Sequence, residues 1–261
     1  MSNESSLREQ ICEVGRRMYE RGFVAANDGN ISVRLSADRI LTTPTGVSKG
    51  FMSPESMAIV DMNGAPLDAN KASSEIRMHV FVYRERPEVQ AVVHAHPIYA
   101  TGFATAGLAL EECVAAEIVA TLGSIPLARY GTPSTEELAE SLRPHVHRND
   151  AFLLANHGVV AVGKDLWEAY YRLERVEHYA NVILVSRLLG GEKILPQAEA
   201  EKLFALRGKY GQTGLNPGCA ACADECLGAT CLNYAGKYDP NSADQIEEVV
   251  ERILARLVMR Q

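Results

Sequence analysis

Two short apolar runs, each closed by histidine, constrain this chain more than any other feature. Ala91-Val92-Val93 leads into His94-Ala95-His96, and residues 151–155 lead into Asn156-His157-Gly158. Runs of this length, bounded by turn residues, read as buried strands. Strand side chains repeat with period two, so His94 and His96 project from one face and form half of a zinc site. In open α/β sheets ligands gather just outside strand ends, where His157 can complete the set. Three protein ligands leave coordination positions open, as in a catalytic ion that polarises a carbonyl and stabilises an enediolate. Spacing alone does not separate this reading from packing. His145 and His147 share the spacing in a polar loop that reads as solvated surface, and His79 and His178 fall within helical patterns that suit packing or surface positions.

The rest of the chain alternates helical and strand patterns, which points to an α/β fold. Helices are expected over 7–21, 75–84, 98–105, 112–121, 134–142, 165–189 and 196–207. Ser73 and Ser74 suit the cap of the second, and Asp165 with Glu168 suits a capping box. Strands are expected over 31–35, 40–42, 58–61, 91–93, 125–128, 151–155 and 159–162, the third running into an Asn63-Gly64 hairpin signal. The 261 residues, 47% hydrophobic and 23% charged, suffice for one medium domain with an appendage. A formal charge of -7 argues against nucleic acid or anionic membrane as partner. The first 22 residues mix both charge signs without an apolar stretch, and no later window reaches membrane-span length, so cytoplasm is the expected location.

Three segments rich in Gly, Ser and Thr precede the first histidine pair: Gly29-Asn30-Ile31-Ser32, Thr43-Pro44-Thr45-Gly46 and Ser73-Ser74-Glu75. Each suits a plain turn, and each also suits an anion cradle of backbone N–H groups and hydroxyls. Ser73 and Ser74 stand before a helix, whose N-terminus favours phosphate. Glu75 suits a general base beside that anion, or a first-turn glutamate favoured by the helix dipole.

These strings, in this order and at these separations, resemble the class II aldolase/adducin family, its fuculose-phosphate aldolase branch in particular, over residues 7 to 210. The resemblance implies a three-layer α/β/α fold with a central mixed sheet and a homotetramer with active sites between subunits. It assigns His94, His96 and His157 to one Zn2+ per subunit and Glu75 to proton transfer, with Gly29, Asn30, Thr45, Gly46, Ser73 and Ser74 around the substrate phosphate. The implied reaction is reversible cleavage of a ketose 1-phosphate, a phosphorylated sugar or deoxysugar, to dihydroxyacetone phosphate and an aldehyde. Epimerases of the family resemble Ser-Ser-Asp where this chain has Ser73-Ser74-Glu75. A sugar-phosphate epimerase, dehydratase or decarboxylase on the same scaffold is the alternative, and a non-catalytic scaffold of adducin type is the alternative outside enzymes. The family's C-terminal tyrosine is matched by Tyr210. A second tyrosine, found in that branch shortly before the strand matching 125–128, has no counterpart in residues 111–121.

The expected organisation is a catalytic domain over 1–207, an irregular Cys-rich segment over 208–240 and an amphipathic helix within 241–261. Cys219, Cys222, Cys226 and Cys231 could supply four thiolates to a second, structural metal. Free thiols, or a redox-labile pair at Cys219 and Cys222, fit the spacing as well.

Overall fold

The computed structural model describes residues 3–212. The cluster Cys219, Cys222, Cys226 and Cys231 and the helix expected beyond residue 241 lie outside the described residues. Seven strands form one mixed sheet in the order β3-β2-β1-β4-β7-β6-β5. They are β1 (Asn30–Arg34), β2 (Arg39–Thr42), β3 (Ala58–Asp61), β4 (Ala91–Ala95), β5 (Leu127–Ala128), β6 (Ala151–Leu154) and β7 (Gly158–Gly163). Only β5 and β6 pair in parallel; all the other pairs are antiparallel.

Alternation along the strands divides the core in two. Ala91, Val93 and Ala95 of β4 turn toward α1 (Asn3–Glu20), α3 (Ile98–Thr105) and α6 (Leu166–Leu188), whose Ile11, Val14, Phe103, Leu173 and Val176 are buried there. Val92 of β4 turns the other way, toward α2 (Ile76–Glu85) and α5 (Glu136–Ser141), and packs with Val80, Phe81 and Leu138. Helices therefore cover both faces, as the α/β/α expectation requires. Period two places His94 on the α2 side with Val92.

Several boundaries differ from the sequence reading for identifiable reasons. The helix expected over 112–121 is only α4 (Ala116–Ala120). Upstream, Leu110 bridges Ile125 and the Cys113 carbonyl accepts from Leu195 N–H, so that stretch bonds outward instead of along a helix. The same bridge removes Ile125 from β5. The turn after β3 closes with Gly64 N–H donating to Asp61, but no return strand follows. Pro66 has no N–H to extend a ladder, and a single bridge to Val60 is left. Helix α2 begins at Ile76 with Glu75 in the cap position, while Ser73 Oγ accepts from Glu75 N–H at 3.3 Å. At the start of α6, Asp165 accepts from Glu168 N–H at 2.8 Å. Glu168 reaches back to Lys164 N–H, one residue further than a capping box requires. After α7 (Gln197–Ala205), residues Arg207–Tyr210 form a 3-10 turn. Among the described residues no helix is long and apolar enough to cross a membrane.

Candidate active site

Strand register assembles the site. Asn30 of β1 stands opposite His94 of β4, and Ala95 stands opposite Val159 of β7, so the ends of three neighbouring strands meet at one edge. His157 does not end a strand, as the sequence suggested; it lies in the turn joining β6 to β7. That turn closes with His157 N–H donating to the Leu154 carbonyl at 3.0 Å, and Asn156 adopts φ 57°. Asn tolerates this left-handed region better than most side chains, which gives the Asn-His-Gly string a backbone reason. Two glycines are required by close approach. A Cβ on Gly29 would stand 2.9 Å from the His94 carbonyl oxygen, and one on Gly158 would stand 2.5 Å from the Ala95 carbonyl and 2.6 Å from the His96 ring.

The three imidazoles face one another with ring centroids 4.8 to 4.9 Å apart, and one nitrogen from each falls within 4.8 Å of the others. His94 is fully buried, and its Nδ1 lies 2.8 Å from the Val159 carbonyl. A carbonyl only accepts, so Nδ1 carries the proton and Nε2 presents a lone pair to the cluster. His96 Nε2 is 3.1 Å from that atom, and its Nδ1 is 3.5 Å from Asp28 Oδ2. Burial, then the neighbouring His94, holds His96 well below the usual histidine range. The same causes bring His157 down to about 4. Both are neutral at physiological pH, as metal ligation requires.

Glu75 is 8% exposed, with Oε2 3.2 Å from His94 Nε2 and Oε1 3.3 Å from His157 Nε2. Burial pushes its carboxyl upward, whereas positive charge in the His94 and His157 cluster, as a proton or a bound cation, and the Asn30 amide hold it below the ordinary carboxylate range. Asn30 Nδ2 donates to Oε2 at 2.8 Å, while Oε1 accepts no hydrogen bond among the described residues. Lone pairs and a carboxylate thus converge on one point, a donor set that fits a divalent cation and would be mutually repulsive without one.

This cluster opens into a cavity of about 350 Å³. Gly29, Asn30, Thr45, Gly46, Ser73 and Ser74 line it, together with Glu75, His96 and His157. The three loops read as anion cradles therefore share one wall with the candidate metal ligands. Tyr210 is 58% exposed and is not among the residues lining this cavity in its own chain. His147 is exposed and 2.9 Å from Glu85, away from the cluster, and His79 is buried against Ser32 and is not one of the three convergent rings. A larger cavity of about 550 Å³ beside α6 contains none of the three histidines, so chemistry and not size selects the site.

The cavity also includes residues that the sequence did not single out as site residues: Asp28, Lys49, Pro133 and Ser134. Ser134 has φ 68°, a left-handed backbone that a non-glycine residue rarely adopts. Its only sequence signal, Ser-Thr before Glu136, suited a helix start.

An α/β/α domain with three convergent histidines, a buried carboxylate and glycine-rich loops has the build of a class II aldolase superfamily enzyme, a class whose members are typically dependent on a divalent metal. Residues 9–184 match the family model described as Class II Aldolase and Adducin N-terminal domain, and this chain belongs to that family. It is 36% identical over 208 residues to a 3-oxo-tetronate 4-phosphate decarboxylase of Haemophilus influenzae, covering 77% of this chain and 97% of the relative. It is 34% identical to an L-fuculose phosphate aldolase of Methanococcus maripaludis, covering 66% of this chain and 93% of that one. A solved structure of L-fuculose 1-phosphate aldolase superposes with a TM-score of 0.73 at 27% identity, over 81% of this chain and 98% of the other.

Proposed function

We propose that this protein is a zinc-dependent lyase that reversibly cleaves a ketose 1-phosphate to dihydroxyacetone phosphate and an aldehyde. The observation that carries the reading is the meeting of His94, His96, His157 and Glu75 at the wall of one cavity that the three anion-cradle loops also line. His94, His96 and His157 would hold the ion. A divalent cation bound there supplies a Lewis acid for the substrate carbonyl and offsets negative charge developing beside it.

The remaining roles belong to the chain. Thr45, Gly46, Ser73 and Ser74 would hold the phosphate through hydroxyls and backbone N–H groups, which fixes the reacting carbons against Glu75. In the condensing direction Glu75, ionised at neutral pH, takes a proton from the hydroxymethyl carbon of dihydroxyacetone phosphate, leaving its enediolate. Asn30 occupies Oε2, so Oε1 carries the proton. In cleavage, the C4 hydroxyl gives up its proton to solvent, the electron pair of the bond between C3 and C4 forms the same enediolate as the aldehyde departs, and Glu75, protonated from solvent, delivers a proton to carbon. The assembly is proposed to be a homotetramer, with the exposed Tyr210 reaching the site of a neighbouring subunit.

A second reading is favoured by the decarboxylase relative. A 3-oxo-tetronate 4-phosphate that loses its carboxylate as carbon dioxide leaves the same enediolate, so the same residues serve with a different departing fragment.

A panel of ketose 1-phosphates and 3-oxo-tetronate 4-phosphates, incubated with zinc-loaded protein, tests the proposal. Dihydroxyacetone phosphate formed with an aldehyde supports the aldolase, and the same product formed with carbon dioxide supports the decarboxylase. No dihydroxyacetone phosphate from any member contradicts both.

A further inference from the structure

The wall that would receive the phosphate is made of neutral donors: the hydroxyls of Thr45, Ser73 and Ser74 and the backbone at Gly46. A phosphate monoester carries a charge near -2 at neutral pH, and moving it from water into a partly enclosed cavity is unfavourable without a compensating cation. Among the described residues lining this cavity, the only lysine or arginine is Lys49.

Lys49 is unusual in its own right. It begins a 3-10 turn (Lys49–Phe51) and is 2% exposed, a rare burial for lysine outside an ion pair. No carboxylate lies within ion-pair distance of it among the described residues. Its Nζ donates to the Val47 carbonyl at 2.6 Å and the Asn27 carbonyl at 2.9 Å, which leaves one ammonium hydrogen uncommitted. Asn27 lines the cavity, and Val47 directly follows the cavity residue Gly46, so the ammonium sits where the two loops meet. Burial lowers its pKa to about 8 against an opposing pull from Asp28, the signature of a cation without its counter-ion.

We propose that Lys49 is the charge partner of the substrate phosphate and a determinant of specificity for phosphorylated over unphosphorylated sugars. This rests on the sugar-phosphate reading above. Held by two carbonyls, the ammonium is already oriented when the anion arrives, and charge-assisted hydrogen bonds to phosphate are among the strong ones. The competing role is a staple that merely joins the 27–30 and 44–48 loops.

Calorimetric titration of zinc-loaded protein with inorganic phosphate separates the two, comparing wild type with Lys49→Met and adding acetate as a carboxylate probe. Loss of one charged hydrogen bond predicts phosphate binding about 10- to 100-fold weaker in Lys49→Met. Acetate should bind wild type far more weakly than phosphate does. Equal phosphate affinity in the two proteins, or acetate bound as well as phosphate, overturns the Lys49 assignment and leaves the sugar-phosphate reading standing. Wild type that binds no phosphate overturns both. Should Lys49→Met fail to fold, wild-type protein decides: the Lys49 side-chain titration followed by NMR should move to higher pH when phosphate saturates the site. An unmoved titration overturns the proposal.

Discussion

The amide of Asn30 donates to Glu75 Oε2 at 2.8 Å, joining the first residue of β1 to the cap position of α2 across 45 residues of sequence. Both are buried, and the bond leaves Oε1 as the free oxygen. Asn30→Ala should therefore keep its zinc, since no ligand is removed, yet lose orientation of the base. A hydrogen bond to a charged group predicts turnover lower by about 10- to 100-fold. Metal analysis beside steady-state kinetics checks this, and unchanged turnover would remove Asn30 from the site.

Metal removal should be visible in stability as well as in activity. A ligand present at 100 times its dissociation constant stabilises the native state by about 2.7 kcal/mol. For a domain of this size that corresponds to roughly 5 to 10 °C in Tm. Chelator should lower the Tm of wild type by that amount and leave His96→Ala unmoved. A His96→Ala protein that still binds zinc stoichiometrically and responds to chelator would contradict the ligand assignment.

Gly158→Ala isolates a steric requirement. The new Cβ would meet the Ala95 carbonyl oxygen and the His96 ring at 2.5 and 2.6 Å, so either the hairpin or the ring must shift. Overpacking of this kind costs about 1 to 3 kcal/mol. Because the displaced ring is a ligand, zinc affinity should fall by at least about tenfold as well. Competition with a chromogenic chelator measures it; wild-type affinity would show that the hairpin tolerates the methyl.

Acid should unfold the protein partly through His79. This ring is buried with Nδ1 2.6 Å from Ser32 Oγ, and burial, followed by the nearby His94, lowers its pKa from 6.5 to about 3. Between those values the unfolded chain binds a proton that the native chain does not. The contribution is therefore complete above pH 6.5 and is lost as pH falls toward 3. One such group contributes a slope of up to about 1.4 kcal/mol per pH unit. Urea unfolding of His79→Gln between pH 7 and pH 4 should show a slope shallower by about that amount. An identical slope would place the acid sensitivity elsewhere.

The sheet and the histidines were legible because period-two alternation and strand-end placement are local properties of the chain. The β4 run, and His94 and His96 at its end, are visible in that alternation, although it does not by itself tell ligands from packing. What joins the pieces is register. Nothing in the sequence near Asn30 says that it faces His94, or that its amide will meet Glu75, because strand order is set by packing on both sheet faces. His157 was found as the close of an apolar run, although it occupies a turn made possible by Asn156 and not a strand end. Lys49 was missed as a site residue for a different reason. In sequence it is an ordinary loop lysine, and its surroundings come from the fold: α1 packs on its 3-10 turn and the Asn27 carbonyl accepts from its ammonium. Ser134 likewise acquires its left-handed backbone from a loop that sequence marks merely as a helix entrance.

The central claim is that Glu75 moves a proton at carbon beside an ion held by His94, His96 and His157. Exchange of deuterium from solvent into the hydroxymethyl group of dihydroxyacetone phosphate, followed by NMR with no aldehyde present, reads that step alone. Zinc-loaded wild type should exchange one of the two hydrogens, and Glu75→Gln with full zinc content should exchange it about 100- to 10,000-fold more slowly. Equal rates in the two proteins would contradict the account.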